Sequence, residues 1–436
     1  MKDRKIVIIG GGFAGINLAR NMGGKTGVQV TLVDKNNYNF FPPLLYQVAT
    51  GMLDVSSISI PFRTLFTGKK NLHFRLGELQ EVVPSENKVK LSTGELSYDY
   101  LVIATGTKAN YFGMENIQKN SLPMKTIDDA IKLRNFLIME AEKYTYTKDK
   151  DEKRKMRNIV ISGAGPSGVE VAGMIAEMRN RTLSDIYPEL SNESLNLYLV
   201  DGADSVLPPM REKSQKYSKE SLEKMGIIVK LNKMVSDYKD DTVYFKDGET
   251  IETKTLIWTA GVTAIKFKGL PEEFYERGNR LKVNAYNKVE NTDNIFAIGD
   301  ACIQMTDPDF PQGHPQLGSV ATQQGKNLAK NLVAIAKNVN GQEGDKPKPF
   351  HYNDKGTMAI IGKSKAVADL NMPKTTLTGW LAWFAWLFVH LFLLINYRNR
   401  FRTMLNWMSS FFGHGQSQGL MVGENANSTL EEVKGN

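Results

Sequence analysis

Cysteine is almost missing from this chain: Cys302 is the one copy in 436 residues. A single thiol excludes an internal disulfide and a cysteine-ligated metal cluster, and it withholds the thiol pair that a dithiol redox enzyme needs. No metal site is expected, so any electron carrier must be a bound organic cofactor. A signal peptide is not expected either, because MKDRK runs straight into IVIIG and the apolar stretch is cut off by glycine. A cytoplasmic start is the expectation. The basic run KDKDEKRKMR at 148–157 has no interleaved aromatic residues, which removes the main argument for nucleic acid and leaves a solvated helix end or loop.

What is present is enough apolar residue for real cores. A hydrophobic content of 41% excludes wholesale disorder, and the length allows two or three domains. The net charge of +8 favours an anionic partner. Charge alone leaves nucleic acid, a phosphate-rich cofactor and an acidic membrane surface all open.

Residues 6–9 are short, apolar and β-branched, end in glycines, and are followed by helical spacing over 14–22. Residues 28–33 read as a second strand that ends on Asp34, completing a βαβ unit. Gly10, Gly12 and Gly15 stand at the turn in GxGxxG spacing, where backbone amides can reach a pyrophosphate; Phe13 and Ala14 between them are expected at the cofactor too. Asp34 can accept hydrogen bonds from ribose hydroxyls.

The same grammar recurs. A strand at 158–161 leads into GAGPSG with Gly163, Gly165 and Gly168, a helix over 169–181 follows, and a strand at 195–200 ends on Asp201. The carboxylate of Asp201 would repel a 2′-phosphate and no arginine follows at 202–204, so NADH is expected over NADPH. Two nucleotide folds in one chain suggest FAD on one and NADH on the other. Further strands at 255–260 and 294–298 run into Gly261 and Gly299, where backbone approaches something closely. Asp300, after Gly299, could bond flavin ribityl hydroxyls or cap the next turn. A helix over 319–339 would aim its amide end at a reduced flavin, and GQEGDKPKPF then marks a boundary.

The last block differs in kind. GWLAWFAWLFVHLFLLIN at 379–396 is nearly all apolar, broken by His390, and followed by Arg398, Arg400, Arg402 and an amphipathic piece at 401–412. Its length sits at the lower limit for crossing a bilayer, roughly 17 to 25 residues. Tryptophan density and the arginines favour an interfacial anchor, with the arginines on anionic headgroups, over a span or a core helix.

These segments, in this order, resemble the type II, non-proton-pumping NADH:quinone oxidoreductases among the two-dinucleotide-binding-domain flavoproteins. The resemblance covers nearly the whole chain and rests on GGGFAG, YNFFPPLLYQVATGML, YDYLVIATG, GAGPSGVEVAG, IWTAGV, NIFAIGDA and the terminal GWLAWFAWLFVHLFLLINYRNR. It implies FAD on the first fold, with Asp34 and Lys35 at the adenosine ribose, the backbone of Leu79 near adenine, and Asp300 with Gly318 near the flavin. It implies NADH on the second, with Glu170 on the nicotinamide side and Asp201 on the ribose; Glu170 can also be read as an ordinary first-turn helix acid. In the family an AQxxxQ signature opens the helix after GDA. Here GSVATQ keeps Gln323 and has Ser319 in place of the first glutamine, and a serine hydroxyl can still bond a quinone carbonyl. The family's arginine-containing end segment is altered to GHGQSQGLMV.

The fold class expected is α/β, two Rossmann-like dinucleotide-binding domains with a C-terminal amphipathic helical membrane anchor. The FAD-binding domain is expected to be discontinuous, 1–112 with 290–345, the NADH-binding domain 113–289 and the anchoring region 346–436. The expected partners are a membrane quinone, ubiquinone or menaquinone, and the lipid surface at the cytoplasmic face, without nucleic acid; a homodimer stays open. Proton pumping is not expected from a monotopic tail. Disulfide and sulfide:quinone reductases of this fold need cysteines the chain lacks, and a soluble ferredoxin reductase would lack the tail. A membrane-docked NAD-sensing flavoprotein, or an NADH reductase of a non-quinone acceptor, remains the alternative because of Ser319.

Overall fold

A computed structural model describes residues 3–190, 195–341, 344–412 and 419–421. The altered end segment at 413–422 therefore lies, except for 419–421, outside the described residues.

The chain forms two compact units. The first comprises Met1–Phe40, Ser59–Lys108 and Val262–Asp354, the second Phe41–Ile58, Ala109–Gly261 and Lys355–Asn436. These boundaries differ from the expected ones for visible reasons. Residues 262–289 join the first unit because Phe267, Leu270, Phe274, Leu281 and Val283 bury themselves with Val7, Ile9 and Leu101. The first unit runs past the polar linker because Phe350 and Tyr352 pack on Val320, and the Phe350 amide donates to Ala285 O at 2.7 Å. Residues 41–58 belong with the tail, which Trp407 ties to Gln47 and Arg402 ties to Ser56.

The first unit is built on a parallel sheet in the order Ile295–Ala297, Tyr100–Ile103, Arg4–Ile9, Val28–Asp34, Leu72–Leu76. Its central strand buries Ile6, Val7, Ile8 and Ile9 almost completely, as expected where helices cover both faces of a parallel sheet. The second unit repeats this plan in the order Leu122–Pro123, Thr255–Trp258, Asn158–Ser162, Asn196–Val200, Ile227–Lys230, again all parallel. Each unit also carries an antiparallel three-stranded sheet: Leu79–Val83, Lys88–Leu91 and Gly94–Ser97 in the first, Val235–Lys239, Thr242–Phe245 and Thr250–Glu252 in the second.

The basic run folds as a helix, Lys150–Met156. Asp149 caps it by accepting the amides of Asp151 and Glu152, and Arg154 and Lys155 pair with carboxylates. A third antiparallel sheet, Gly356–Gly362, Lys365–Asn371 and Lys374–Thr378, precedes the tail. The helix Pro166–Met178 lies on it so closely that a Cβ at Gly173 would stand 1.6 Å from Ile361 O. Gly173→Ala is therefore expected to push helix and strand apart and destabilise the second unit by about 2 kcal/mol. A denaturant midpoint unchanged from wild type would contradict that packing.

Candidate active site

The two glycine turns have nearly the same geometry, residue for residue. Gly10 adopts φ 101° and Gly163 φ 107°, conformations that side chains rarely take. The amide of Gly10 donates to Val33 O at 2.8 Å, and that of Gly163 to Val200 O at 2.8 Å. One residue on, the Gly11 amide donates to Asp34 Oδ2 at 2.7 Å and the Ala164 amide to Asp201 Oδ2 at 2.6 Å. The other carboxylate oxygen accepts from Asn36 in the first case and from Ala203 in the second, each at 2.8 Å. Burial nonetheless raises the carboxyl pKa of Asp34, against these amides and nearby Lys35.

The remaining glycines divide by role. Gly15 and Gly168 pack against the turn itself, where a Cβ would stand 1.9 Å from Gly10 O and 1.7 Å from Gly163 O. Gly12 and Gly165 face open space, with no atom within 4 Å of an added Cβ. Both are N-caps, and glycine brings no side chain to cap the first turns of the helices Phe13–Met22 and Pro166–Met178. An open floor beneath uncapped helix amides is a cradle for a pyrophosphate, and both turns fit a dinucleotide.

In the first unit the other candidate residues gather round this turn. Gly77 donates its amide to Asp34 O at 2.9 Å, which brings the start of the strand Leu79–Val83 beside Asp34, with the Leu79 side chain in the core. Gly299 approaches Ala14, where a Cβ would sit 3.0 Å from Ala14 Cβ, and its amide donates to the buried Gln324 at 2.7 Å; Asp300 follows in the same turn. Gly318 opens the helix Gly318–Val339 against the ring of Phe13, where an added Cβ would stand 2.9 Å from Cε2, and that helix also lacks a side-chain cap. Lys35 is exposed beside Asp34.

Ser319 and Gln323 follow on this helix. Ser319 is exposed, and its Oγ lies 2.8 Å from the Tyr352 hydroxyl. Gln323 donates to Asn353 O at 3.0 Å and accepts the Asn353 amide at 3.1 Å, so much of its amide is spent holding the segment after Phe350. Sequence reasoning missed Tyr352 and Asn353, whose partners lie some thirty positions away in a stretch with no periodic pattern.

In the second unit Glu170 is half-buried four residues after Pro166, and burial pushes its carboxyl up to about 8 although the Ile360 amide bonds to it. Burial, with the charge of Glu170, holds the Tyr46 phenol well above its ordinary range. Tyr46 OH accepts from Gln47 Nε2 at 3.1 Å, and Gln47 Oε1 accepts Trp407 Nε1 at 2.7 Å, so the tail reaches the surroundings of Glu170. Gly261 approaches its own chain, with a Cβ position 2.7 Å from the Phe112 ring. The two lysines whose backbones bond to that of Asp201 have their amines committed elsewhere: Lys230 pairs with Glu249, and Lys233 with Asp247 and Glu249.

The tail helix Gly379–Leu393 buries Ala382 and Trp386 and exposes Trp380, Leu381, Phe384, Phe388 and Phe392. No helix among the described residues is long and apolar enough to cross a membrane. His390 does not interrupt the apolar character: it stacks on Trp386 at 3.9 Å, donates Nδ1–H to Trp386 O, and is kept neutral by burial that pulls its pKa down to about 4. Two of the three arginines serve the fold, Arg400 on the carbonyls of Phe392 and Leu394 and Arg402 on Ser56, which corrects the expectation that all three face headgroups. Arg398 is exposed.

Compared with known proteins, residues 4–325 match the pyridine nucleotide-disulphide oxidoreductase family and residues 355–414 the NDH2 C-terminal domain. The chain is 35% identical over 427 residues to the type II NADH:quinone oxidoreductase NdhA of Mycobacterium tuberculosis, covering 95% of this chain and 88% of the relative. It is 30% identical over 398 residues to the type II NADH:quinone oxidoreductase of Haemophilus influenzae, covering 84% and 87%. A solved structure of NDH2 from Plasmodium falciparum in complex with NADH superposes with a TM-score of 0.86 at 23% identity, over 95% of this chain and 99% of that one, which establishes the shared fold.

The raised carboxyl of Glu170 has a measurable consequence. An unfolded glutamate releases its proton near 4.5, whereas the folded chain keeps this one to about 8. Between those values the folded state binds more protons, so this group's contribution to stability is intact at low pH and is lost as pH rises through about 8. Thermal melts across that window should show the decline, and Glu170→Gln should flatten it; an unchanged slope in the variant would contradict a protonated Glu170.

Proposed function

The chain belongs to the type II NADH:quinone oxidoreductases, and from that membership we propose that it oxidises NADH through a bound FAD and reduces a membrane quinone without pumping protons. The observation that carries the reading is the duplicated turn, one open-floored dinucleotide cradle in each unit. FAD, when bound, accepts the hydride from NADH and hands two electrons to the quinone.

The first unit holds the FAD. Asp34 keeps a lone pair on each oxygen for the ribose hydroxyls after accepting Gly11 and Asn36, Gly12 leaves room for the pyrophosphate, and the uncapped start of Gly318–Val339 places helix-dipole charge beside Asp300. The second unit holds NADH, with Gly165 under the pyrophosphate and Asp201 on the ribose. A 2′-phosphate would meet that carboxylate, and the neighbouring lysines are already paired, so NADPH is a poor substrate. Glu170, protonated near neutral pH, presents a neutral hydrogen-bond donor on the nicotinamide side. The quinone is met at the open face of Ser319, with Gln323 holding the neighbouring segment in place.

The tail brings the chain to the lipid. At 15 residues the helix Gly379–Leu393 is about 22 Å long, short of the roughly 30 Å hydrocarbon core, and its aromatic face is turned outward. The chain thus lies in the interface, peripheral to the membrane, with NADH arriving from the cytoplasm. Quinones live in the lipid phase, so docking is what joins the two substrates.

Steady-state assays with NADH or NADPH against ubiquinone and menaquinone analogues test the reading. NADH should be preferred at least tenfold, and NADH oxidation that reduces neither quinone would overturn it. Glutamates at Phe384, Phe388 and Phe392 should cut binding to lipid vesicles at least tenfold, since each ring that stays in water forfeits about 2 kcal/mol; vesicle binding equal to wild type would exclude this face as the anchor.

A further inference from the structure

Reducing a quinone to its quinol takes two electrons and two protons and forms two O–H bonds. NADH supplies the two electrons and, as hydride, one proton, so one proton per turnover comes from water. Among the residues that sequence reasoning singled out, none is a clear donor for it.

The first unit lines up three oxygen-bearing side chains at the start of the helix Gly318–Val339. Ser319 Oγ is open on one side and lies 2.8 Å from the Tyr352 hydroxyl on the other. Tyr352 is 5% exposed, and its hydroxyl also donates to Asp354 Oδ1 at 3.5 Å. Asp354 is half-buried and so keeps contact with water.

The phenol is held in place by its surroundings. The Tyr352 backbone amide donates to the buried Asp307 at 3.0 Å, Asp307 is bonded by His314 Nε2 at 2.9 Å, and the exposed His351 stands 3.6 Å from the other carboxylate oxygen. Phe310 packs on the ring with centroids 5.4 Å apart, and the two-way bond between Gln323 and Asn353 fixes the next residue to the helix. Among the described residues, Asp307, Asp354 and His314 are titratable groups in contact with Tyr352, and His351 stands against Asp307. Burial raises the phenol above its ordinary range, so it stays protonated over the working pH.

We propose that Asp354, Tyr352 and Ser319 form a relay that carries the water-derived proton to the quinone oxygen. The inference rests on the reading that places the quinone at Ser319. In the step, Ser319 passes its proton to the quinone oxygen, forming one O–H bond, Tyr352 turns its hydroxyl to Ser319 and passes its proton there, and the Asp354 carboxylate takes one proton from solvent and hands it to the Tyr352 oxygen. Ser319 is then the catalytic residue, and Tyr352 and Asp354 act through it.

The test uses the full-length, FAD-loaded protein with a soluble quinone, and ferricyanide as an acceptor that takes electrons without protons. Tyr352→Phe keeps the ring and removes the hydroxyl. It should lower kcat with quinone at least fivefold, leave the quinone KM within twofold, and raise the solvent deuterium isotope effect on quinone turnover, so that the ratio of quinone to ferricyanide turnover falls. Asp354→Asn should move the ratio and the isotope effect in the same direction. If Ser319→Ala alters the quinone KM while Tyr352→Phe changes neither kcat nor the isotope effect, the pocket stands and the relay is wrong. If Ser319→Ala leaves both KM and kcat unchanged, the quinone is not at Ser319 and both fail. Equal losses with quinone and ferricyanide in Tyr352→Phe would mark a structural role and reject the relay.

Discussion

Everything proposed for this protein depends on one hydrogen bond made twice: a carboxylate at the end of the strand next to the glycine-turn strand in each parallel sheet accepts the backbone amide one residue past the first glycine of the turn. Asp34 does this to Gly11 and Asp201 to Ala164. The bond aligns the turn amides and fixes the position of the carboxylate relative to the turn. A charged acceptor makes it stronger than an ordinary amide contact. The glycines are required for the same reason, since a side chain at Gly15 or Gly168 would drive the helix off the turn the carboxylate has set.

The second constraint lies inside the second unit. The tail is not an appendage, because Trp407, Asn406 and Arg402 bond to residues between Gln47 and Ser57, and Gln47 bonds in turn to Tyr46 beside Glu170. The same helices that present an aromatic face outward also hold the surroundings of the buried carboxyl. The tail and the residues around Glu170 are therefore parts of one packed structure.

Much of this was legible in the residues. The strand, glycine turn and helix of each fold are written in local pattern, as β-branched runs ending in glycine followed by three-and-four spacing, and the strand-ending Asp34 and Asp201 stand where local reasoning puts them. The apolar tail could be read by length and composition alone. What escaped was long-range or contrary to local appearance. Residues 262–289 look like part of the second fold and yet bury Phe267 and Phe274 in the core of the first. His390 looks like a break in an apolar run and is neutral under Trp386. Arg400 and Arg402 look like headgroup ligands and instead bond to carbonyls and Ser56. Tyr352 carries no motif at all; only the fold brings it to Ser319.

The most direct measurement is an anaerobic titration of the purified chain, following flavin absorbance. The account predicts one FAD per chain, bleached by one equivalent of NADH and restored by one equivalent of quinone. A chain that carries no flavin, or whose flavin NADH reduces and quinone fails to reoxidise, would contradict it.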